Sequence, residues 1–384
     1  MFSRRTDWKL TPNRFTQAQQ ESHAAGREVL DLAISNPTRV GLHYDNEAIT
    51  KSLADSAALD YDPQPKGLLS ARQAVAEYYK RQVDPESLVL TTSTSEGYSF
   101  VFRLLSNPED EVLVPKPSYP LFEFLADLQD VKLIPYPLLY DHGWQIDFPS
   151  LHKSVTPRTR AVVLVHPNNP TGSYVSNAER AALNHFCRDH KLAIIVDEVF
   201  LDYAHDGTPR PSFASNKDVL TFTLSGISKI SALPQMKLAW IAASGPADQL
   251  QPALSRLEVI ADTYLSLNAP IQLAAPTFLN LRKQIQPQLL DRVRTNLAEL
   301  DRQLAKQKAC ERLAVEGGWY TILRVPVTQS DEDLAIDLLR QASVLVHPGH
   351  FYDFPRDGYL VLSLITQPEQ FCEGVERLLR LLAA

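Results

Sequence analysis

Lys229 lies in a sequence context that suits a reactive amine. It follows the apolar stretch Val219–Leu224 and ends the small polar turn Ser225-Gly-Ile-Ser-Lys229. A partly buried ammonium has a lowered pKa, and the neutral amine that results is a nucleophile toward a carbonyl carbon. The alternative is an ordinary loop lysine, so the interpretation depends on the groups that the fold brings to this turn.

A hydroxyl-rich turn follows another apolar segment upstream. Ser93, Thr94 and Ser95 stand between Leu88–Leu90 and a predicted helix that begins near Glu96. Free backbone N–H groups, the positive end of a helix and added hydroxyls together favour a bound phosphate. The alternative is a simple Ser/Thr cap of the helix.

Two polar segments follow apolar strands further along the chain. Asn168 and Asn169 belong to a Pro- and Gly-rich turn after Ala161–Val165, and this rigid turn is able to aim one amide at a ring hydroxyl. Asp197 ends the stretch Ile194–Val196, where a carboxylate is costly unless it is paired, for example with a protonated pyridine nitrogen. The alternatives are an Asx-stabilised loop and a buried aspartate that caps a neighbouring helix.

Ser228 and Lys237 complete the candidate set. Ser228 precedes the reactive lysine directly, and Lys237 lies eight residues beyond that lysine. Lys237 is a second cation for a bound phosphate, and a solvated loop charge is its alternative.

The elements that must position these residues alternate between strands and helices. Continuous apolar strands bounded by loops indicate a mostly parallel sheet that helices cover on both faces. Such sheets bind ligands at the carboxyl ends of their strands, where these candidates fall. Seven runs predict seven strands: Leu88–Leu90, Glu111–Val114, Val131–Ile134, Ala161–Val165, Leu192–Val196, Val219–Leu224 and Leu238–Ala242.

The pattern changes after residue 275. Apolar residues recur every three or four positions from Ile285 to Leu304, which predicts a long amphipathic helix. Strand candidates at Tyr320–Val325, Val344–Val346 and Tyr359–Leu364 and a closing helix follow. We therefore predict a large α/β domain at residues 45–270, and a smaller α+β domain made of residues 1–44 and 271–384.

Composition excludes several classes of function. The chain has 384 residues, a net charge of −7 and no dense Lys/Arg run, so nucleic acid is not an expected partner. No secretory signal and no stretch of about 20 apolar residues is visible, so membrane insertion is not expected. Cys187, Cys310 and Cys372 are far apart, which indicates a reducing compartment, and we expect a cytoplasmic protein. No metal site is expected, because His347 and His350 have no evident third ligand.

These segments together resemble the class I/II aminotransferases, which are pyridoxal 5'-phosphate (PLP) enzymes of fold type I. The resemblance covers most of the chain, because six motifs occur in the family's order and spacing. They are Tyr61…Gly67-x4-Arg72, Pro117-Ser-Tyr119-Pro, Asn168-Asn-Pro-Thr-Gly172, Asp197-Glu-Val199, Ser228-Lys229 and Glu316-Gly-Gly318.

The resemblance implies a role for each candidate. Lys229 would hold PLP as a Schiff base and then move the proton between the substrate and the cofactor. Asp197 would pair with the pyridine nitrogen, Asn169 would bind the ring hydroxyl, and Tyr119 would stack on the ring. The phosphate would be bound by Ser93, Thr94, Ser95, Ser228 and Lys237, and by Tyr61 of a neighbouring subunit, since family members are homodimers that share their sites. The alternative for Tyr61 is a core tyrosine beside a helix.

Three departures from the family concern the cofactor. Lys237 replaces a frequent arginine, which keeps the charge and loses the bidentate fork. Gly226 stands where a phosphate-binding serine is frequent, and either Ser225 or Ser228 is its substitute. Phe200 replaces a tyrosine that donates to the ring hydroxyl.

A fourth departure concerns the substrate. The strand Tyr359–Ser363 has Val361 where the family has an arginine that binds the substrate carboxylate. An arginine–carboxylate contact is strong, so another group replaces it or the substrate differs. Candidate substrate-binding residues are Asn36, Arg39, Arg324 and Arg356, and a surface or structural role is the alternative for each arginine. His347, His350 and Tyr352 also lie near the expected pocket.

The sequence therefore predicts an aminotransferase that transfers an amino group from an amino acid to a 2-oxo acid. Because fold-type-I enzymes share electron-sink chemistry, and because Val361 replaces the arginine, the alternative is another PLP reaction such as a lyase or a decarboxylase. A PLP-dependent transcription regulator is not expected, since no helix-turn-helix pattern precedes Tyr61.

Overall fold

A computed structural model describes residues 1–120 and 122–383. Its strands, numbered along the chain, are β1 (Leu30–Asp31), β2 (Leu88–Thr91), β3 (Glu111–Lys116), β4 (Lys132–Tyr140), β5 (Trp144–Ile146), β6 (Thr159–Val165), β7 (Ala193–Asp197), β8 (Thr221–Gly226), β9 (Ala239–Ser244), β10 (Glu311–Arg312), β11 (Tyr320–Arg324), β12 (Val344–Leu345), β13 (His347–Pro348) and β14 (Tyr359–Ser363).

The α-helices pack on these strands and connect them. They are α1 (Arg14–Ala24), α2 (Asn46–Ser52), α3 (Leu69–Tyr78), α4 (Thr94–Leu105), α5 (Phe122–Asp127), α6 (Phe148–Lys153), α7 (Asn177–His190), α8 (Ile227–Ile230), α9 (Ala247–Tyr264), α10 (Ala269–Leu304), α11 (Asp331–Asp337) and α12 (Pro368–Leu382). Helix α7 has well-defined ends, because Ser176 and Glu179 form a capping box at its start and Lys191 ends it in a left-handed conformation.

The large sheet has the strand order β2-β9-β8-β7-β6-β3-β4-β5. The five strands from β8 to β4 are mutually parallel, whereas β9 runs antiparallel to both of its neighbours and β5 runs antiparallel to β4. This arrangement confirms the α/β fold and all seven predicted strands. The eighth strand, β5, was missed because it has only three residues and a polar Gln145 at its centre.

A smaller antiparallel sheet has the order β10-β11-β14-β13, and β1 pairs separately with β12. Helix α10 connects the two parts of the molecule. Its segment from Ala274 to Leu281 packs in a core with Trp240, and its segment from Ile285 to Leu300 packs in another core with Trp319. One helix therefore contributes to both cores. The domain boundaries at residues 44/45 and 270/271 stay a prediction.

The parallel strands of the large sheet position the candidate residues. Parallel neighbours end at the same edge of a sheet, and ligands bind there in open α/β folds. Tyr119 follows β3, Asn169 follows β6, Asp197 ends β7 and Lys229 follows β8. None of the helices in residues 1–120 and 122–383 combines the length and the apolar character that crossing a bilayer requires.

Candidate active site

A cavity of about 380 Å³ opens where these strands end. Residues from the strand ends, from the start of α4 and from the small sheet line it together. The candidates that it brings together are Ser93, Thr94, Ser95, Tyr119, Asn169, Asp197, Ser228, Lys229 and Lys237. These candidates, which are up to 144 positions apart in the sequence (93 to 237), thus meet around one space.

Lys229 lies in the short helix α8, directly after β8, and its amine points among aromatic rings. The Nζ atom is 4.8 Å from the ring centroid of Trp319 and 5.5 Å from that of Phe200. Burial lowers the pKa of Lys229 to about 8, although the negative charge of Asp197 opposes this shift. The Tyr203 hydroxyl donates to the Lys229 carbonyl at 2.6 Å, which fixes the backbone. Lys229 is therefore able to present a neutral amine near neutral pH.

Asp197 is the buried carboxylate at the end of β7. Its Oδ1 accepts a hydrogen bond from the Val199 N–H at 3.1 Å, and the Tyr98 hydroxyl lies 3.5 Å from Oδ2. Burial raises the pKa of Asp197 to about 6, and these two donors and the Lys229 charge oppose the shift. A carboxylate with so few partners is suited to pair with a cation that enters the cavity.

The adjacent residues Asn168 and Asn169 have different environments. The Asn168 amide donates to the Pro117 carbonyl at 3.1 Å and to Thr171 Oγ1 at 2.9 Å, so it connects two loops. The buried Asn169 Oδ1 has no hydrogen-bond partner among the described residues, and Asn169 lines the cavity. Asn169 is therefore the amide that is free to bind a ligand.

The start of helix α4 faces the cavity. Ser93 caps this helix, because its Oγ accepts from the Glu96 N–H at 3.2 Å. Both interpretations of the turn are therefore compatible: Ser93 is the cap, and the hydroxyls of Thr94 and Ser95 also line the cavity. Lys237 adds an exposed cation to the same lining. Backbone N–H groups and a cation together favour an anion.

The structure distinguishes the two serines near Gly226. Ser228 lines the cavity, whereas Ser225 is buried with its Oγ 3.4 Å from the Glu198 carbonyl oxygen. A Cβ atom at position 226 would lie 2.8 Å from Ala239 Cβ and 2.9 Å from the Leu238 carbonyl oxygen. Glycine is therefore required at 226 by close packing, and of the two serines Ser228 has the position to contact an anion.

Several candidates lie outside the cavity lining. Tyr61 is 85% exposed and lines a separate groove beside Leu265 and Leu267. Asn36 accepts a hydrogen bond from the Thr38 N–H in its own turn, Arg39 is exposed, and Arg356 lies 3.3 Å from the Tyr359 hydroxyl. Substrate binding by Asn36, Arg39 and Arg356 stays a prediction that this placement does not support.

The structure also gives the positions of Arg324, His347 and His350. Arg324 pairs with Glu311 on the outside of the small sheet. His347 lines the cavity, whereas His350 is exposed and does not. In the described part of the chain, no three His, Cys, Asp or Glu side chains come together to hold a metal ion.

The small sheet contributes residues that sequence reasoning missed or left without a role. Tyr320, His347, Phe351 and Tyr352 line the cavity, and Trp319 covers the Lys229 amine. The motif Glu316-Gly-Gly318 was the available signal for Trp319 and Tyr320, because it ends immediately before them. The fold alone shows that Trp319 and Tyr320 lie at the active site.

Comparison with known proteins agrees with this arrangement. The model of the family "Aminotransferase class I and II" matches residues 27–378. The chain is 27% identical over 373 residues to the glutamate-pyruvate aminotransferase AlaA of Haemophilus influenzae, covering 93% of this chain and 91% of that protein. It is 28% identical over 370 residues to the alanine aminotransferase of Mycobacterium tuberculosis, covering 92% and 86%.

Solved structures show the same fold. An alanine aminotransferase from Pyrococcus furiosus superposes with a TM-score of 0.90 at 22% identity, covering 100% of both chains. An aminotransferase from Escherichia coli gives a TM-score of 0.88 at 24% identity, covering 100% of this chain and 98% of the other.

Proposed function

The chain belongs to the aminotransferase class I and II family, a family of PLP enzymes, and from this premise we propose that it binds PLP at Lys229 and transfers an amino group from an amino acid to a 2-oxo acid. Family membership makes the protein an enzyme of the transaminase class. It favours transamination over the lyase and decarboxylase alternatives that the replacement at Val361 had left open.

The assignment of PLP as the cofactor depends mainly on two groups in the cavity. The cavity holds an amine whose pKa is lowered to about 8 together with a buried carboxylate whose pKa is raised to about 6. Each group is costly to bury alone, and each finds a partner in PLP. The amine matches the carbonyl of the cofactor, and the carboxylate matches its protonated ring nitrogen.

The other lining residues fit the remaining parts of PLP. Asn169 has an amide without a partner for the ring hydroxyl, and Tyr119 stands at the cavity edge, 42% exposed, where a ring face would meet it. The helix start at Ser93 and the Lys237 cation suit the phosphate. Ser228 is the serine that we assign to the phosphate.

The protein's own residues then account for the steps of transfer. PLP, when bound, supplies the electron sink that stabilises the carbanion at the substrate Cα. Asp197 would keep the ring nitrogen protonated, because a negative charge beside it favours the protonated form. Lys229, with its amine free, would take the proton from the substrate Cα and return it to the cofactor's carbonyl-derived carbon on the other side of the nitrogen, which is a 1,3-shift. The rings of Trp319 and Phe200 keep water from the Lys229 amine.

We propose alanine and glutamate as the first amino donors to test, with pyruvate and 2-oxoglutarate as acceptors. This proposal is supported by two relatives that align with most of the chain, a glutamate-pyruvate aminotransferase and an alanine aminotransferase.

The proposal includes a homodimer in which Tyr61 of one subunit completes the phosphate site of the other. The exposure of Tyr61 and its position in a groove that Lys229 does not line support this arrangement.

The expected cytoplasmic location also belongs to the proposal, and fractionation of the producing cells with antibodies would test it.

The experiment that tests the reaction separates transamination from its alternatives. Purified protein with PLP is mixed with a panel of amino acids and one 2-oxo acid, and the new amino acid, ammonia and CO₂ are each quantified. The proposal requires one new amino acid per donor consumed, without ammonia or CO₂. Release of ammonia or CO₂ in proportion to donor loss would mean lyase or decarboxylase chemistry instead.

A further inference from the structure

One wall of the cavity is a face of the small sheet. Val361 on β14 lies directly opposite Ile322 on β11 and His347 on β13. Side chains directly opposite each other in an antiparallel ladder lie on the same face. His347 lines the cavity, and so does Tyr320, which shares the face of Ile322 two residues away. The position of the missing arginine therefore belongs to the face that looks toward the active site.

This wall has polar groups but no charge. Val361 itself is 1% exposed and does not line the cavity. Burial lowers the pKa of His347 to about 4, so its imidazole is neutral at physiological pH. Among the described lining residues the charged ones are Lys229, Lys237 and Asp197, and no arginine is present. Those three charges are already assigned to the cofactor.

His347 and Tyr352 form a hydrogen-bonded pair in this wall. The distance between His347 Nδ1 and the Tyr352 hydroxyl oxygen is 3.0 Å. If the tyrosine donates, the Nε2–H of the histidine is the free donor; if the histidine donates from Nδ1, the tyrosine O–H is free. Either tautomer leaves one neutral donor for a ligand.

The backbone that carries Tyr352 is fixed by contacts to the loop after β3. The Tyr352 carbonyl accepts from the Ser118 N–H at 3.0 Å, and Lys116 Nζ lies 3.1 Å from a carboxylate oxygen of Asp353. These contacts connect the Tyr352 turn to the loop that carries Tyr119. The backbone position of Tyr352 is therefore set before any substrate binds.

We propose that the His347–Tyr352 pair receives the α-carboxylate of the amino substrate through one neutral hydrogen bond, in place of an arginine. This inference rests on the proposed function and names a specificity-determining element for it. A single neutral donor does not require a negative charge from its ligand, and the carbonyl of an amide accepts the same bond. The site should therefore use α-amino amides as well as α-amino acids.

The first test uses the wild-type holoenzyme. We measure kcat/KM with L-alanine and with L-alaninamide, or with the best donor of the panel and its α-amide. We expect a preference for the acid of less than about 100-fold, because both ligands accept the same single hydrogen bond. A larger preference would overturn the inference, since it would mean that a cation receives the carboxylate.

The second test removes the two hydrogen-bond donors of the pair, first singly and then together. His347→Phe leaves the tyrosine donor and Tyr352→Phe leaves a histidine donor, so each single variant should raise KM for the amino acid less than about twofold. The double variant has neither donor and should raise KM at least about tenfold at similar kcat. His350→Phe, outside the cavity, is the matched control and should keep the wild-type KM.

These tests distinguish a failure of carboxylate binding by the His347–Tyr352 pair from a failure of the proposed aminotransferase function. Additive effects, or a double variant with unchanged KM, would overturn the role of the pair while amino transfer itself persists. The absence of amino transfer with every donor would overturn both proposals. If the double variant fails to fold, the comparison of acid and amide in the wild-type protein still decides.

Discussion

The Nζ atom of Lys229 lies 4.8 Å from the centroid of the Trp319 ring. A cation over an indole ring is stabilised by about 0.5–2 kcal/mol, which favours the protonated amine. Burial nevertheless lowers the pKa of Lys229 from 10.5 to about 8, which corresponds to about 3 kcal/mol in favour of the neutral form. Burial therefore dominates, and the aromatic lining keeps the amine reactive by excluding water.

Asp197 should reduce the stability of the cofactor-free protein above pH 6. Its pKa is raised to about 6 in the folded state, so the folded protein holds a proton that the unfolded chain releases near pH 4. Stability from this group is present at low pH and is lost as the pH rises through about 6. The Asp197→Asn variant has no such loss.

Urea unfolding of both cofactor-free proteins at pH 5 and pH 8 checks this prediction. The stability of the variant relative to wild type should increase by about 1 kcal/mol between these pH values. If the free energies of unfolding of variant and wild type differ by the same amount at pH 5 and at pH 8, burial of the Asp197 carboxylate has no cost. The variant should also retain PLP poorly, because a neutral amide has no negative charge to stabilise a protonated ring nitrogen.

Phe200 should set the pH at which the bound cofactor titrates. The family's tyrosine at this position donates to the ring oxygen, and Phe200, which lines the cavity, is unable to do so. Because a donor stabilises the deprotonated form, Phe200→Tyr should lower the apparent pKa of the absorbance transition by about one unit. Phe124→Tyr, at an exposed position outside the cavity, is the control. An unchanged transition in Phe200→Tyr would contradict this role.

Gly226→Ser should destabilise the protein rather than improve phosphate binding. The added Cβ meets Ala239 Cβ at 2.8 Å and the Leu238 carbonyl oxygen at 2.9 Å, and both atoms are held by strand β9 and the residue before it. We expect a cost of about 1–3 kcal/mol in the free energy of unfolding. Gly143→Ser, where no atom lies within 4 Å of the new Cβ, should cost much less. Equal costs would contradict the packing argument.

Subunits with different defects should restore each other's activity. If each site combines Lys229 of one subunit with Tyr61 of the other, a mixed dimer of Lys229→Ala and Tyr61→Ala contains one intact site. Random assembly of an equal mixture should then recover about a quarter of wild-type activity. Each variant assayed alone is the control. No gain in co-expressed, co-purified mixed dimers would mean that Tyr61 does not act across an interface.

Local sequence patterns were sufficient for the main strands and for most of the site. Apolar runs predicted seven strands of the large sheet, and the residues at their carboxyl ends line one cavity. The motif around Asn168 and Asn169 predicted a rigid turn. The assignment of the free amide to Asn169 rested on the resemblance, and its physical reason, the hydrogen bonds of Asn168 to the neighbouring loop, appears only in the fold.

Other features depend on contacts between distant segments and had no local signal. Trp319 covers an amine that lies 90 positions earlier in the chain (319 − 229), so no pattern near either residue indicated the contact. The requirement for glycine at 226 comes from β9, which packs against it. The pairing of Val361 with His347 is likewise a property of strand register, which sequence periodicity did not define here.

The most direct measurement of the central claim identifies the lysine that binds the cofactor. The PLP-loaded protein is reduced with borohydride, digested, and mapped by mass spectrometry, with Lys237→Ala and Lys229→Ala treated in parallel. The account predicts a covalent cofactor adduct on Lys229 in wild type and in Lys237→Ala, and none in Lys229→Ala. An adduct on another lysine, or no adduct in a protein that still binds PLP, would contradict it.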